Sequence, residues 1–140
     1  MKNVYPVIFT PLGNDKDTIL IEVPDWNILT QGYGMADAMY MARDAIGLKG
    51  IDYEDNGKEI PEPSEMSAVD ASKGTFAEDG EGYVSLVDID FTEYRRKVDN
   101  KTVRRNVTIP NWLNQDAENA HLNVSRVLQE ALMAKLDVSR

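Results

Sequence analysis

The stretch Lys101-Thr-Val-Arg-Arg-Asn-Val-Thr-Ile-Pro110 predicts a short β-strand with one apolar face and one hydrogen-bonding face. Side chains alternate along a strand, so Val103, Val107 and Ile109 share one face, whereas Thr102, Arg104, Asn106 and Thr108 share the other. Pro110 lacks an N–H group and suits the first turn of a helix, so the strand ends there. A single strand of this length is unstable, and its simplest partner is the same strand from a second chain.

Two helices are predicted behind this strand. The first runs from about Asn111 to His121 with an apolar stripe that includes Trp112 and Leu113. Asn123 is a favourable N-cap for a second helix that reaches about Leu136. The apolar residues of the second helix recur close to the i, i+3, i+4, i+7 spacing of a core-facing stripe: Val124, Val127, Leu128, Ala131, Leu132 and Leu136.

This order of strand, helix, turn and helix resembles the ribbon-helix-helix DNA-binding module. The resemblance implies that two chains pair their strands into a ribbon that lies in the major groove of DNA. The shared dimer core would then be Val107, Ile109, Trp112, Leu113, Val127, Leu128 and Leu132. The alternative is a small helical hairpin with an edge strand.

The same resemblance implies which residues contact DNA. Strand parity directs Arg104, Asn106 and Thr108 toward the bases, with Thr102 at the margin. Arg105 has the apolar parity and is expected to meet phosphate or an acid. The N-terminus of the second helix, at Val124 and Ser125, is expected to clamp a phosphate through its backbone N–H groups.

Charge is distributed unevenly along the 140 residues. The whole chain has a formal net charge of −9. Residues 95–140 contain nine Lys+Arg and five Asp+Glu, whereas residues 1–94 contain six and nineteen. The basic end suits phosphate, and the acidic part could attract a basic protein, although acidic surfaces also simply favour solubility.

The N-terminal part predicts a β-meander followed by a helix. Strands are expected at 4–11, 18–23 and 28–31, separated by a turn at 13–15 and a loop at 24–27. A turn at 32–34 leads into a helix from about Met35 to Leu48. A last strand is expected at 82–88.

The order of these elements resembles the HicB-type antitoxins of type II toxin–antitoxin systems. The resemblance rests on Pro24-Asp-Trp26, Thr30-Gln-Gly32, the Ala-rich helix 35–46, the turn Glu59-Ile-Pro-Glu-Pro-Ser64 and the strand Gly82-Tyr-Val-Ser-Leu-Val-Asp88. It implies an α+β protein with an N-terminal partial ribonuclease-H-like domain, residues 1–94, and a C-terminal ribbon-helix-helix domain, residues 95–140.

The resemblance also implies two partners. The N-terminal domain would bind and block a small basic HicA-type ribonuclease toxin, with Asp25, Trp26 and Tyr33 as candidate contacts. The C-terminal domain would form a homodimer or higher oligomer and repress its own operon by binding operator DNA. A stand-alone regulator whose N-terminal domain senses a ligand is the alternative, and an adjacent gene for a small basic protein would favour the antitoxin.

The residues do not predict an enzyme, a metal site or a cofactor. Ribonuclease-H-like enzymes gather carboxylates on strands, but the first strand has none and Asp15, Asp17, Glu22 and Asp25 lie at turns or strand ends. A degenerate nuclease is therefore a third, weaker hypothesis. His121 has no predicted nucleophile beside it, and the absence of cysteine excludes thiolate sites.

The remaining segments are expected to be connectors. The acids of 52–62 are interpreted as solvated residues of a Gly/Pro-rich connector, and 64–81 as the least ordered stretch, with one helical turn near 66–71. Residues 90–100 are expected to link the two domains, and the basic run 95–97 could face either phosphates or solvent. No apolar run is long enough for a signal peptide or a membrane span, so a cytoplasmic location is expected.

Overall fold

The computed structural model describes residues 2–99 and 103–138. The chain divides into two compact units, Met1–Lys101 and Thr102–Arg140. The first unit contains a four-stranded antiparallel sheet and two helices, and the second contains two further helices. The mixed α and β content agrees with the predicted class, whereas the ribonuclease-H-like and ribbon-helix-helix assignments stay predictions.

The sheet of the first unit has the strand order β3-β2-β1-β4. Its strands are β1 (Lys2–Pro11), β2 (Thr18–Val23), β3 (Ile28–Tyr33) and β4 (Tyr83–Asp90). The predicted meander and last strand are confirmed. Strand β3 continues past its predicted end at Gln31, because the turn comes at Gly34, whose positive φ of 83° suits glycine.

Strand β1 lies in the middle of the sheet and is covered on both faces. Tyr5, Val7 and Phe9 belong to the main core together with Ala38 and Ala42 of the following helix. The segment 74–82 covers the opposite face, with Ile8 and Thr10. Three glycines of this segment lie so close to β1 or β2 that an added Cβ would touch those strands. Burial of both faces explains why β1 reads as a nearly continuous apolar run.

Pro6 is buried within β1, although proline is rare in central strands. It is tolerated here because the pairing with β2 begins only at Ile8, opposite Glu22. Toward β4, Pro6 stands opposite Leu86. The carbonyl of Asp88 accepts a hydrogen bond from Arg43 and thus faces away from β1. Because this direction alternates along an antiparallel strand, the N–H and C=O groups of Leu86 also face away from β1 and make no hydrogen bond with Pro6.

The first helix, α1 (Met35–Asp55), is longer than the predicted helix, which ended at Leu48. Gly47 and Gly50 lie inside the helix, where they are buried under aromatic rings of the next helix. The helix stops at Gly57, which has φ of 68° and is followed by a bond from the Lys58 N–H to the Tyr53 carbonyl. The acids Asp52, Glu54 and Asp55 therefore belong to a helix end and not to a connector, which corrects that expectation.

Residues 91–98 form helix α2 (Phe91–Val98), where a linker was expected. Its N-cap Asp90 accepts hydrogen bonds from the N–H groups of Thr92 and Glu93. Phe91 and Tyr94 are buried in the first unit. The helix thus crosses the predicted domain boundary between residues 94 and 95.

The hydroxyl of Tyr94 donates a 2.5 Å hydrogen bond to the carboxylate of Asp44 on α1. Burial of the phenol, followed by this bond to an anion, raises the pKa of Tyr94 well above its usual value. The hydroxyl therefore remains a donor at any physiological pH and fixes α2 on α1.

The second unit consists of α3 (Asn111–Asn119) and α4 (Val124–Leu136). Both predicted helices are confirmed, with α3 ending before His121, which has a positive φ of 55° in the turn. The side chain of Asn123 accepts a hydrogen bond from the Arg126 N–H, as the N-cap prediction required. Residues 103–110, where the sequence predicted a strand, have no regular secondary structure in the single chain, so that strand is not confirmed. Among the described helices, none is long and apolar enough to cross a membrane.

The contact between α1 and α2 generates a first prediction. A Cβ at Gly50 would lie 2.2 Å from Cε1 of Phe91, so Gly50→Ala must displace the ring. The resulting overpacking should lower the free energy of unfolding by about 1–3 kcal/mol, despite the roughly 1 kcal/mol by which alanine favours a helix over glycine. Urea unfolding measures the difference.

The control is Leu48→Ala on the same helix, where the side chain is 53% exposed and the expected change is smaller, within about 1 kcal/mol. A Gly50→Ala protein at least as stable as the wild type would contradict the packing described for α2.

Candidate functional site

The three predicted toxin contacts lie at the two ends of β3 but differ in exposure. Trp26 is only 1% exposed, and its ring packs between Tyr5, Tyr53 and Phe91 with centroid distances of 5.2–6.0 Å. The Lys49 ammonium donates a 2.6 Å hydrogen bond to the Trp26 carbonyl. The indole therefore supports the fold and presents no surface to a partner in this structure.

Asp25 and Glu22 hold the long segment between α1 and β4 onto the sheet. The Asp25 carboxylate accepts hydrogen bonds from the N–H and hydroxyl of Ser64, at 2.8 and 2.5 Å. The Glu22 carboxylate accepts from the N–H and hydroxyl of Thr75, both at 2.8 Å. Each carboxylate thus binds one residue twice, and such charge-assisted pairs are stronger than neutral hydrogen bonds.

The segment 64–81 is therefore organised, although it contains little regular structure. Its short 3-10 helices are Met66–Ala68 and Ala71–Lys73, in the region where one helical turn was predicted. Within it, Asp70 accepts hydrogen bonds from the hydroxyl and N–H of Ser72, which lower the pKa of the Asp70 carboxyl.

Tyr33 is the predicted toxin contact that offers an exposed ring. Its side chain is 53% exposed, and its hydroxyl accepts a hydrogen bond from the Gln31 side chain. Leu29, four residues earlier on the same face of β3, is 54% exposed. Two large apolar side chains thus lie on the outer face of an edge strand, and the sequence analysis had singled out only one of them.

The first unit is the acidic one. Residues 1–101 contain ten Lys+Arg and twenty Asp+Glu, and residues 102–140 contain five and four. Several cations of the first unit are already used within it. Arg95 pairs with Glu54 and Asp55 at 3.0 Å each, and the Lys97 ammonium lies 5.6 Å from the ring centroid of Tyr40.

These contacts show what two residues of the basic run 95–97 bind. Arg95 offsets two carboxylates in the last turn of α1, where the helix dipole disfavours negative charge, and the hydrogen bonds to them raise its own pKa. Arg95 and Lys97 therefore contact other residues of the first unit. The sequence alone left open whether the run faces phosphates or solvent.

The predicted dimer core is exposed in the single chain. Trp112 is 64% exposed and Val107 is 57% exposed. The other members are at least 37% exposed: Ile109, Leu113, Val127, Leu128 and Leu132. An apolar set of this size, contributed by the strand segment and both helices, is unusual for a surface without a partner.

The predicted DNA contacts are also on the surface. Arg104, Arg105, Asn106 and Thr108 are exposed in the segment 103–110, and Thr102 lies outside the described residues. Val124 and Ser125 form the first turn of α4, whose N–H groups have no carbonyl partner within the helix. Whether any of these residues contacts DNA stays a prediction.

Neither His121 nor the carboxylates assemble into a metal site in the part of the chain that the structure describes. No group of three or more His, Asp or Glu residues is close enough to hold an ion there. His121 lies in the turn between α3 and α4, where its positive φ places it at the helix end.

Sequence reasoning missed the exposed Leu29 and the paired hydrogen bonds by which the carboxylates of Asp25 and Glu22 hold Ser64 and Thr75. Ser64 and Thr75 are far from Asp25 and Glu22 in sequence, so no local pattern connects them. The sequence did indicate the exposure of Leu29, because alternation along β3 places it on the face opposite to the buried Ile28 and the partly buried Thr30.

Comparisons with known proteins agree with these features. Residues 5–135 match the family model of the HicB-like antitoxins of bacterial toxin–antitoxin systems. The fold is similar to a chain in a structure described as a toxin–antitoxin complex from Streptococcus pneumoniae, with a TM-score of 0.60, 25% identity and coverage of 96% of this chain and 99% of that one.

A second similar structure is the antitoxin HicB of Burkholderia pseudomallei, with a TM-score of 0.49, 21% identity and 96% coverage of both chains. No curated protein sequence matches the chain.

Proposed function

The chain belongs to the HicB-like antitoxin family of bacterial toxin–antitoxin systems, and we propose that it neutralises a HicA-type mRNA-cleaving toxin and represses its own operon. The family match over residues 5–135 is the observation that carries the proposal. It favours the antitoxin over a stand-alone regulator that senses a ligand. The discriminating genetic observation is a neighbouring gene for a small basic protein.

The first unit is the proposed toxin-binding part. Its excess of ten carboxylates over cations would attract a basic toxin and speed its association. The similar chain from Streptococcus pneumoniae comes from a toxin–antitoxin complex, which supports a toxin as partner. Asp25 and Tyr33 remain candidate contacts on this unit, with Trp26 acting through the fold beneath them.

The second unit is the proposed dimerisation and operator-binding part. Its exposed apolar set would become a shared core if two copies paired their segments 103–109 as strands. Pairing would also leave Arg104, Asn106 and Thr108 together on the opposite face of the ribbon. A two-stranded ribbon with such side chains fits the major groove.

We further propose that the protein acts by binding and not by catalysis. Glu22 and Asp25, two carboxylates near the sheet, are engaged by Thr75 and Ser64. Their oxygens hold a segment of the chain in place, which is a structural use of the residue type that a nuclease would direct at metal ions.

The toxin-binding unit can be tested with fragments. Because α2 packs on α1, the fragment should keep α2 whole, so residues 1–101 are expected to bind and inhibit the toxin while residues 102–140 are not. Association should slow as salt rises, since charge steering is screened over about 8–10 Å near physiological ionic strength. Binding kinetics and an RNA-cleavage assay measure both effects. Binding of the toxin by the C-terminal fragment instead would contradict this division.

Dimerisation can be tested with Trp112→Ala. If the ring is buried between two chains, its loss should weaken the dimer by about 3–5 kcal/mol. Sedimentation of the full chain at micromolar concentration should then show monomers. Tyr40→Ala removes a ring that is 51% exposed on the first unit and should leave the dimer intact. A wild-type chain that sediments as a monomer would refute the shared core.

Operator binding can be tested with Arg104→Ala and Asn106→Ala. A bidentate contact from Arg104 to guanine should make its loss cost roughly 1–3 kcal/mol on operator DNA and reduce the preference for operator over scrambled duplex. Titrations of both duplexes at one fixed salt concentration measure this preference.

Arg105→Ala is the matched control for these variants. It should weaken binding to both duplexes alike, because a phosphate contact carries no sequence information. If Arg105→Ala alone changes the preference, the assigned face of the strand is wrong by one residue.

A further inference from the structure

Strand β3 forms one open edge of the sheet, and its backbone is available for another strand. It is the last strand in the order β3-β2-β1-β4. The Tyr33 N–H bonds to the Asp37 carboxylate at 2.8 Å, whereas the Gly34 N–H bonds back to the Asp17 carbonyl that precedes β2. Odd-numbered residues of β3 therefore direct their N–H and C=O groups away from β2, because this direction alternates along an antiparallel strand.

Leu29 and Gln31 share the parity of Tyr33. Their backbone groups accordingly point to the open edge. Among the described residues, they take part in no backbone hydrogen bond of a turn, loop or helix cap. A row of unpaired groups of this kind is a template for pairing with another chain. Proteins use the same arrangement to recognise an extended segment by adding it to a sheet.

The side chains beside this edge are apolar and exposed. Leu29 and Tyr33 project from the outer face of β3 and are about half exposed, while Ile28 and Gly32, which have the opposite parity, are buried on the helix side. An added strand would pair with the backbone and place alternate side chains against Leu29 and Tyr33.

Acidic groups flank the edge at both ends. At the Tyr33 end, Asp37 binds the backbone and the Asp17 carboxylate lies beside Gly34. At the Leu29 end, Asp25 lies in the preceding 3-10 helix, Pro24–Trp26. A second copy of this chain would bring like charges together on the same edge, whereas a segment with Lys or Arg around its apolar residues would be complementary.

The opposite edge of the sheet, strand β4, is contacted by a side chain of α1. On β4, Arg43 donates to the carbonyl of Asp88 at 2.9 Å and pairs with its carboxylate at 3.0 Å. This ion pair lowers the pKa of Asp88 and occupies an outward-facing acceptor of that edge.

We propose that the toxin docks by adding a basic, extended segment to the open edge of β3, with Leu29 and Tyr33 as its apolar contact. The inference rests on the proposed function, because it takes the toxin as the partner. It adds the mode of recognition, which is backbone pairing, and the residues that specify it.

The side-chain part is tested by Leu29→Arg in the full chain, with the purified toxin from the adjacent gene as the probe. Replacing an exposed apolar contact by a cation that faces a basic partner should weaken toxin binding by roughly tenfold or more. The matched control is Leu86→Arg, on the outer face of β4 and 46% exposed, which should bind within about threefold of wild type.

The backbone part is tested by Gln31→Pro. Proline removes the outward N–H but no bond to β2, so the sheet should persist while an added strand loses a donor. Gln31→Ala keeps that N–H and removes only the side chain, so it should retain binding that Gln31→Pro loses. Leu86→Pro removes the equivalent outward N–H on β4 and should also bind like the wild type, and circular dichroism checks that each variant is folded.

Hydrogen exchange of the wild-type complex gives a readout that needs no variant. The amides of Leu29 and Gln31 should exchange quickly in the free protein and become protected when the toxin binds. Unchanged exchange at both amides, or equal affinity for wild type and a folded Gln31→Pro, would overturn edge pairing while leaving the antitoxin function standing.

Two further results would point to self-association of the chain or to failure of the proposed function. If Leu29→Arg changes the sedimentation of the protein without toxin, the edge pairs copies of this chain and the proposal is wrong. If the wild-type protein does not bind the toxin at all, the proposed function itself fails and the edge proposal falls with it.

Discussion

The first unit depends on burying both faces of its central strand. One face of β1 is covered by α1, and the other is covered by a segment with little regular structure of its own. That segment stays in place because Glu22 and Asp25 each hold one hydroxyl residue by two hydrogen bonds, and because glycines allow its backbone to approach β1 closely. The sheet, helix α1 and the long segment are therefore joined by direct contacts.

The second unit is under the opposite constraint, because it has apolar surface that it does not bury. A strand segment and two short helices give too small a core to shield Trp112 and its neighbours within one chain. The same deficit supports the proposal that two copies of this unit associate. Operator recognition would follow from dimerisation, since the polar face of the segment becomes a ribbon only when it is paired.

Much of the fold was predictable because it follows from local patterns. Apolar segments between turns identified the strands of the sheet, the i, i+3, i+4 spacing identified α1 and α4, and Asn123 marked the start of α4. The errors lay where tertiary contacts override local preference. Helix α1 continues past its predicted end at Leu48, with Gly47 and Gly50 accommodating Tyr94 and Phe91. The expected linker forms α2 because those two rings are buried.

For the candidate site, the sequence by itself determined the charge of each part, the strand parity around Arg104 and the family resemblance, because these depend on residue order alone. Only the tertiary structure decided which side chains are accessible: Trp26 became core, Asp25 became a clamp, and Leu29 became the exposed neighbour of Tyr33. Accessibility depends on which distant segments cover a residue. Contacts such as Glu22 with Thr75 arise from the path of the whole chain, which no local pattern specifies.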